Sequence, residues 1–465
     1  MKKLSMISII ALFLIITLFN INSDGKVDIY KERYSLYTFH LPCRIDKDVD
    51  FLTSSCVISG NGDQSNPYII EGWDINGTGY GYALYIGNTT AYFVVRNNYL
   101  HHASGGGSFH YSNSGLILYN VKNGKIENNN VSYNENGIVL YSSSNNNLIN
   151  NIAYNNTFTG ISFRLSSNNT IANNDLFSNM DGILLDWSSN NYITNNNASY
   201  NSEIGIIVES TDYIYLSSPN SNKNYIINNN VSYNGYHGIV LSSVNNNYIT
   251  NNNVSYNNYY GISLLLSPNN IITNNIAYDN NYNIYLYSSN NTTISNNNVS
   301  GNYYGIYLSS SSNNNLSGNV LYNNGIVIFG GSLTDWNTHN IDTTNLVNGK
   351  PVYYYKNQTG GTVPQDAGQV ILANTTNMII EWQNISNASI GIQLGFSSGN
   401  LIKNNNASGN YYGIRLSSSS NNNITNNNAS GNSRYGIYLS SSSNNNKITY
   451  NRITGNTNYG VNITS

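Results

Sequence analysis

Three ionisable residues recur at one fixed interval: Arg164, Asp186 and Glu209 stand 22 and 23 residues apart in a chain only 9% charged. If one turn of the chain consumes that many residues, the three side chains project in line from neighbouring strands. Two carboxylates ~5 Å apart titrate as a coupled pair unless a cation compensates, and Arg164 is placed to do so. A pair at that spacing suits the acid and nucleophile of glycoside hydrolysis. Tyr141 precedes the trio in the same row and Ser242 follows it, while Trp187, Tyr213 and Tyr215 lie close by with rings suited to stacking on sugars. The competing reading is an ordinary Arg164–Asp186 surface ion pair worth under ~1 kcal/mol. Among the many rows a repeat creates, composition alone produces some charged trio.

The elements that would align these residues follow from self-similarity. A Gly-Ile-x-Leu type start recurs at Gly137, Gly160, Gly182, Gly205, Gly238, Gly261, Gly305, Gly391, Gly413 and Gly436, mostly 22 to 23 residues apart. Within each unit apolar and polar residues alternate with the period of a strand, and no segment keeps a helical stripe. So small a unit cannot bury its apolar face alone, so successive units must stack, each strand pairing in parallel with its copy one turn on. The expected fold is an all-β, right-handed parallel β-helix (a solenoid) of about fifteen coils. A leucine-rich repeat would need several Leu at fixed offsets where Ile, Val and Ala stand here, and a left-handed hexapeptide helix a stricter 18-residue coil. Leu184, Ile207 and Val240, two residues after their glycines, are expected to face outward under a covering or contacting surface.

Roughly a fifth of the chain is Asn. Asn151, Asn174, Asn196, Asn229, Asn252, Asn275, Asn297, Asn405 and Asn427 fall at one equivalent place in their coils, and Asn156, Asn179, Asn201, Asn234, Asn257, Asn280 and Asn302 at another. Stacked amides there donate one way along the rod and accept from the other, satisfying themselves, and Asn tolerates the left-handed backbone of tight turns. Many also sit in N-x-[ST] patterns, so glycosylation competes with the ladder; Asn357, Asn374 and Asn384, in looser segments, are the better acceptors.

Residues 1–23 read as a signal peptide or N-terminal anchor, Lys2 and Lys3 preceding an apolar run from Met6 to Phe19. The expected location is therefore extracytoplasmic, with membrane contact only through an uncleaved leader. Residues 24–56 form an expected N-terminal cap. An exported chain permits Cys43 and Cys56 to pair, the alternative being two unrelated small apolar residues. Residues 57–465 form one expected β-helix, with a loop insertion near 211–221 and irregular coils at 329–387. With 19 Lys+Arg against 22 Asp+Glu, no general basic surface serves nucleic acid.

Ser59-Gly60-Asn61-Gly62 through Asn66-Pro67-Tyr68 to Gly72-Trp73, then Asn123-Gly124-Lys125-Ile126-Glu127, and above all Asn348-Gly349-Lys350-Pro351-Val352-Tyr353-Tyr354, resemble the NosD-like family of extracytoplasmic right-handed β-helix proteins, built of pectate-lyase-type coils. With the repeat, the resemblance covers nearly everything after the leader. It implies two activities, copper delivery and polysaccharide binding or cleavage, and neither transfers with the fold. As a lyase the two carboxylates, Asp186 and Glu209, would hold Ca²⁺ while Arg164 helps remove a proton from an acidic sugar. Copper is not expected: soft ligands are scarce, and of six His only His101, His102 and His110 cluster. The function expected is binding of a polysaccharide or cell-surface glycan on an outward strand face, with polysaccharide cleavage and a structural rod as the alternatives.

Overall fold

The computed structural model describes residues 37–464 apart from 108–110, 211–220 and 302, together with the strands Thr17–Ile21 and Val27–Lys31, which pair antiparallel. The leader, His110, Tyr213, Tyr215, Asn302 and the 211–221 insertion up to residue 220 thus lie outside the described residues.

Nearly every described strand is parallel to its copy one coil on, and the chain makes a β-solenoid of about 17 turns. The first wall runs through twelve strands, from Cys43–Ile45 to Ile326–Phe329, and carries the Gly-Ile-x-Leu segments. A second twelve-stranded wall runs from Tyr68–Glu71 to Asn340–Ile341, and short strands such as Asn130–Ser132 and Ile152–Tyr154 make the third. The inward residues of one coil, Ile138, Leu140, Leu148 and Ala153, are all fully buried. Gly recurs at the coil start because a Cβ on Gly137 would lie 2.4 Å from the carbonyl oxygen of Gly160 in the next coil. The turn count exceeds the expected fifteen because some coils lack the Gly-Ile start, as in the strands Tyr82–Thr89 and Lys350–Lys356.

The Asn pairs divide two tasks. The first Asn of a pair takes the left-handed corner, as in Asn150 (φ 56°), Asn195 (56°) and Asn228 (57°). The second points inward and builds the ladder: Asn196 Nδ2 donates to Asn229 Oδ1 at 3.0 Å and Asn229 Nδ2 to Asn252 Oδ1 at 3.0 Å. The second expected row is also a ladder, in which Asn156, Asn179, Asn201, Asn234, Asn257 and Asn280 hand on the same bond. A third, through Asn146, Asn169, Asn191, Asn224 and Asn247, had the same double-Asn signal in most coils and was not read from it. Ladder amides are buried and hydrogen-bonded, which leaves no room for a glycan, whereas Asn357, Asn374 and Asn384 are exposed.

The segment 329–387 departs most from expectation. Instead of irregular coils continuing the rod, it turns the chain round. Asn348 (φ 51°) and Gly349 (φ 78°) make a two-residue hairpin, across which Leu346 and Val347 pair antiparallel with Pro351 and Lys350. The strands that follow, Lys350–Lys356, Gln369–Ala373, Ile390–Gly395, Tyr412–Ser417, Tyr435–Ser440 and Tyr459–Ile463, stack in parallel as a second solenoid. Its outer face packs on the outer face of the first wall, and each later coil meets an earlier one. Ser389 Oγ accepts from Gly325 N–H at 2.8 Å, the Tyr411 ring lies 4.7 Å from that of Tyr303, and the charge of Arg434 is felt at Tyr282. The last strand of the first wall has an open edge, closed by side chains: Gln369 accepts from Ile326 N–H at 2.9 Å and donates back to Ile326 O at 2.7 Å. Tyr304, Val327, Ile390, Tyr412 and Tyr435 form a separate buried cluster at this seam.

Candidate functional site

The first wall sets the expected trio in one outward row. Strand pairing places Tyr141 beside Arg164, Arg164 beside Asp186, Asp186 beside Glu209 and Glu209 beside Ser242. Their alternation with the inward Leu140, Phe163, Leu185, Val208 and Leu241, all fully buried, is what faces them outward. Arg164 Nε stands 3.7 Å from Asp186 Oδ2, so the guanidinium offsets one of the two carboxylates. The Asp186 side chain is only 10% exposed, which strengthens that attraction relative to an open surface. The Glu209 carbonyl is tied down by Trp187 N–H and by Ser221 Oγ at 2.7 Å, fixing the backbone on the far side of the row.

The row is longer than its charged part. Tyr119 pairs with Tyr141 on one side, their rings stacked 5.5 Å apart, and Tyr111 lies across both. On the other side, Leu265 and Tyr287 follow Ser242 in register. Counting four residues on from the coil start finds Tyr119 directly, from Gly115; Tyr287 is hidden because Asn283 replaces the glycine. Trp187 takes the corner just beyond Asp186 with φ 50° and is 8% exposed, which leaves little ring face for a sugar. In the neighbouring row, expected to lie under a covering or contacting surface, Leu184 and Ile207 are half-buried and Val240 is 3% exposed.

Sequence reasoning also passed over the residues one place before the coil-start glycines. Asp181 is buried there, accepts Ile204 N–H at 3.0 Å, and burial pushes its carboxyl up to about 6. His237 stands two strands on in the same row, stacked on Tyr260 at 4.9 Å and held below the usual imidazole range by burial. The position was readable from the Asp-Gly and His-Gly pairs, but its burial was not.

Cys43 and Cys56 are joined, with a Cα–Cα distance of 6.4 Å. The strand Cys43–Ile45 pairs in parallel with Tyr82–Thr89, so the disulfide clamps the first coil of the stack and not a separate cap. His101 and His102 also come together: His101 Nε2 lies 2.7 Å from Asp74 Oδ1, and the two Nδ1 atoms 2.6 Å apart.

These features define a right-handed parallel β-helix folded back on itself, with one charged, tyrosine-flanked row on its first wall. The family of periplasmic copper-binding protein (NosD) matches residues 54–220 and 353–465, more than half of the chain, and the right-handed β-helix region family matches 214–363. The chain belongs to the NosD family. No curated protein sequence matches it. Among solved structures it is similar to an Azotobacter vinelandii mannuronan C-5 epimerase A-module, at 13% identity and TM-score 0.33 over 85% of this chain and 80% of that one. A periplasmic alginate epimerase gives 15% identity and TM-score 0.38 over 83% and 85%. The pre-mature gene product 12 of bacteriophage phi29 gives 12% and 0.43 over 92% and 68%.

The family description raises copper, and the described donors do not fit it. Among the described residues no group of three or more His, Cys, Asp or Glu is arranged to hold a metal ion. The His101 and His102 Nδ1 atoms are turned on each other, one His101 nitrogen is committed to Asp74, both cysteines are in the disulfide, and Met378 is sealed in the core at 1% exposure.

Proposed function

We propose that this NosD-family protein works outside the cytoplasm as a glycan-binding β-helix, and that the glycan lies on the first wall at Arg164, Asp186 and Glu209. The observation that carries this reading is the strand register, which brings a guanidinium, two carboxylates and Tyr141 into consecutive positions on one outward face. Carboxylates accept charge-assisted hydrogen bonds from sugar hydroxyls, the guanidinium donates to ring or carboxylate oxygens, and a tyrosine ring covers an apolar sugar face. The disulfide at the first coil accords with an oxidising compartment. Two carboxylates on adjacent strands also suit bond cleavage, so the assay reads both outcomes. A panel of neutral and acidic glycans is scored for binding and for new reducing ends, with the parent and with Asp186→Asn/Glu209→Gln, which keeps shape and removes charge. Binding is expected to fall at least about tenfold in the double variant, the loss of one or two charge-assisted bonds. Unchanged binding and cleavage in that variant would reduce the row to a structural feature.

A further inference from the structure

The tyrosine rows of the first solenoid are of two kinds. On the second wall Tyr192, Tyr225 and Tyr248 stack at 4.7 and 4.8 Å, and at a corner Tyr200, Tyr233 and Tyr256 stack at 4.9 and 4.8 Å, every pair within 11° of parallel. In such rows the ring faces are covered by the neighbouring rings. The row one place before the first wall is different. Tyr236, Tyr259 and Tyr303 immediately precede the aligned His237, Tyr260 and Tyr304, so they fall in one line along the rod. They are 57%, 42% and 52% exposed. Among the described residues none of their ring contacts is face to face: Tyr236 meets His237 and Tyr259 meets Tyr260 edge-on, and Tyr303 meets Tyr411 at 4.7 Å with a tilt of 47°.

The coil fixes the spacing of these open rings. One coil separates Tyr236 from Tyr259 and two separate Tyr259 from Tyr303, steps of ~4.8 and ~9.6 Å in a ridge of ~14 Å. A folded protein surface carries no such period, whereas a polysaccharide repeats at every sugar, so rings set by a coil repeat match a repeating chain. Charge does not choose that chain. Glu203, whose carbonyl accepts Tyr236 N–H at 2.9 Å, stands at one end, and Arg434, which donates to the Tyr411 hydroxyl at 3.0 Å, stands at the other, so the ends carry opposite signs. Stereochemistry chooses. A phenol face packs on a flat C–H face, which a pyranose presents when its ring substituents are equatorial and loses when a hydroxyl or linkage is axial.

We infer that Tyr236, Tyr259 and Tyr303 form a second polysaccharide site, apart from the charged row, and that it takes a β-linked chain of equatorially substituted pyranoses lying along the rod. Ring faces make the contact, so phenylalanine serves in place of tyrosine and alanine does not. The ridge shares no residue with the charged row, and either site can fail alone.

The test is hydroxyl-radical footprinting and calorimetry on the full chain, as the parent and with Asp186→Asn/Glu209→Gln to silence the charged row. Cellohexaose and xylohexaose are the equatorial probes, and oligogalacturonate and oligomannuronate of the same length the probes with axial groups. In both backgrounds cellohexaose should protect Tyr236, Tyr259 and Tyr303 from oxidation and leave the exposed Tyr80 and Tyr450 unprotected. In the silenced background the equatorial probes should bind at least about tenfold more tightly than the axial ones. Tyr259→Ala should weaken cellohexaose about three- to tenfold, the range of one aromatic contact, and Tyr259→Phe should stay within about twofold. Footprinting reads the position with the ridge intact, so a folding defect in the alanine variant leaves the test standing. Binding without protection of the three rings overturns the inference, as do equal affinity for the axial probes and failure of both equatorial probes to bind. Protection that rises with protein concentration in the absence of sugar shows a second copy on the ridge and overturns it too. Cellohexaose binding that is lost in Asp186→Asn/Glu209→Gln and never protects the ridge overturns the ridge and keeps the first-wall reading, whereas a protected ridge with no glycan weakened by that double variant overturns the first-wall reading alone.

Discussion

Asn229 and Asn230 are neighbours in sequence and both belong to ladders, yet truncating them should have opposite consequences. Asn229 is 1% exposed. Its Oδ1 accepts from Asn196 N–H at 2.8 Å and from Asn196 Nδ2 at 3.0 Å, and its Nδ2 donates to Ile193 O at 2.9 Å and Asn252 Oδ1 at 3.0 Å. Asn229→Ala strands the Asn196 N–H in the interior at a cost of about 1–3 kcal/mol, and removes three further bonds of about 0.5–1.5 kcal/mol net each. The lower bound of the sum is about 2.5 kcal/mol. Asn230 points outward, exchanging side-chain bonds with Asn197 at 3.0 Å and Asn253 at 3.2 Å in a water-exposed row. Asn230→Ala should stay within about 0.5 kcal/mol.

Because each coil of a solenoid touches only its neighbours, the loss should appear locally before it appears in global unfolding. Native-state hydrogen exchange resolved by mass spectrometry reads it. Peptides covering Tyr192–Thr194 and Tyr225–Ile227 should exchange at least about seventyfold faster in Asn229→Ala, the equivalent of ~2.5 kcal/mol, and peptides around Tyr412–Ser417 at the parent rate. Equal protection in the two variants would refute the claim that the buried amide ladder, and not the apolar interior alone, holds the coils in register.

Two further outcomes follow from single groups. Asp181 has its folded value raised from 3.8 to about 6, so the folded state binds the proton more tightly. Its burial is tolerated below about pH 4, stability falls as pH rises through the window from about 4 to 6, and above it the penalty reaches up to about 3 kcal/mol. Asp181→Asn keeps the acceptor for Ile204 N–H and should flatten that part of a urea-midpoint versus pH profile, gaining most at pH 7; an unchanged profile would count against the assignment. Cys43 and Cys56 close a 13-residue separation, so Cys43→Ala/Cys56→Ala should lose about 3 kcal/mol of protection in the first coil while coils beyond the hairpin keep theirs.

The row that carries the candidate site was legible because it depends on one number, the coil length. Once Gly160, Gly182 and Gly205 were aligned, Arg164, Asp186 and Glu209 had to be neighbours, and the pairing shows them so. What counting positions did not supply was depth. Trp187 reads as an exposed aromatic beside a carboxylate, but it occupies a left-handed corner and is covered. Val240 alternates outward and is buried all the same. Alternation along a strand tells which side of its own sheet a residue takes; it carries no information on what else reaches that side.

The fold-back shows the same limit at larger scale. Its local trigger was in the sequence, since Asn348-Gly349 between two strand-like runs is the strongest short hairpin signal there is, and two positive-φ residues are what a tight antiparallel turn requires. Reading it as an irregular coil came from extending the parallel repeat through it. The packing that makes the reversal stable was not local. Tyr282, Tyr304 and Tyr307 stand in outward positions of the first wall and Tyr411, Tyr412 and Tyr435 in outward positions of the second solenoid, more than a hundred residues later. Each set alone reads as tyrosines stacked on a solvent face. Contacts such as those between Tyr303 and Tyr411 and between Gln369 and Ile326 show that the two faces are each other's partner. That pairing satisfies an open strand edge and buries apolar ring area in one step, and it also places Arg415 over Phe329.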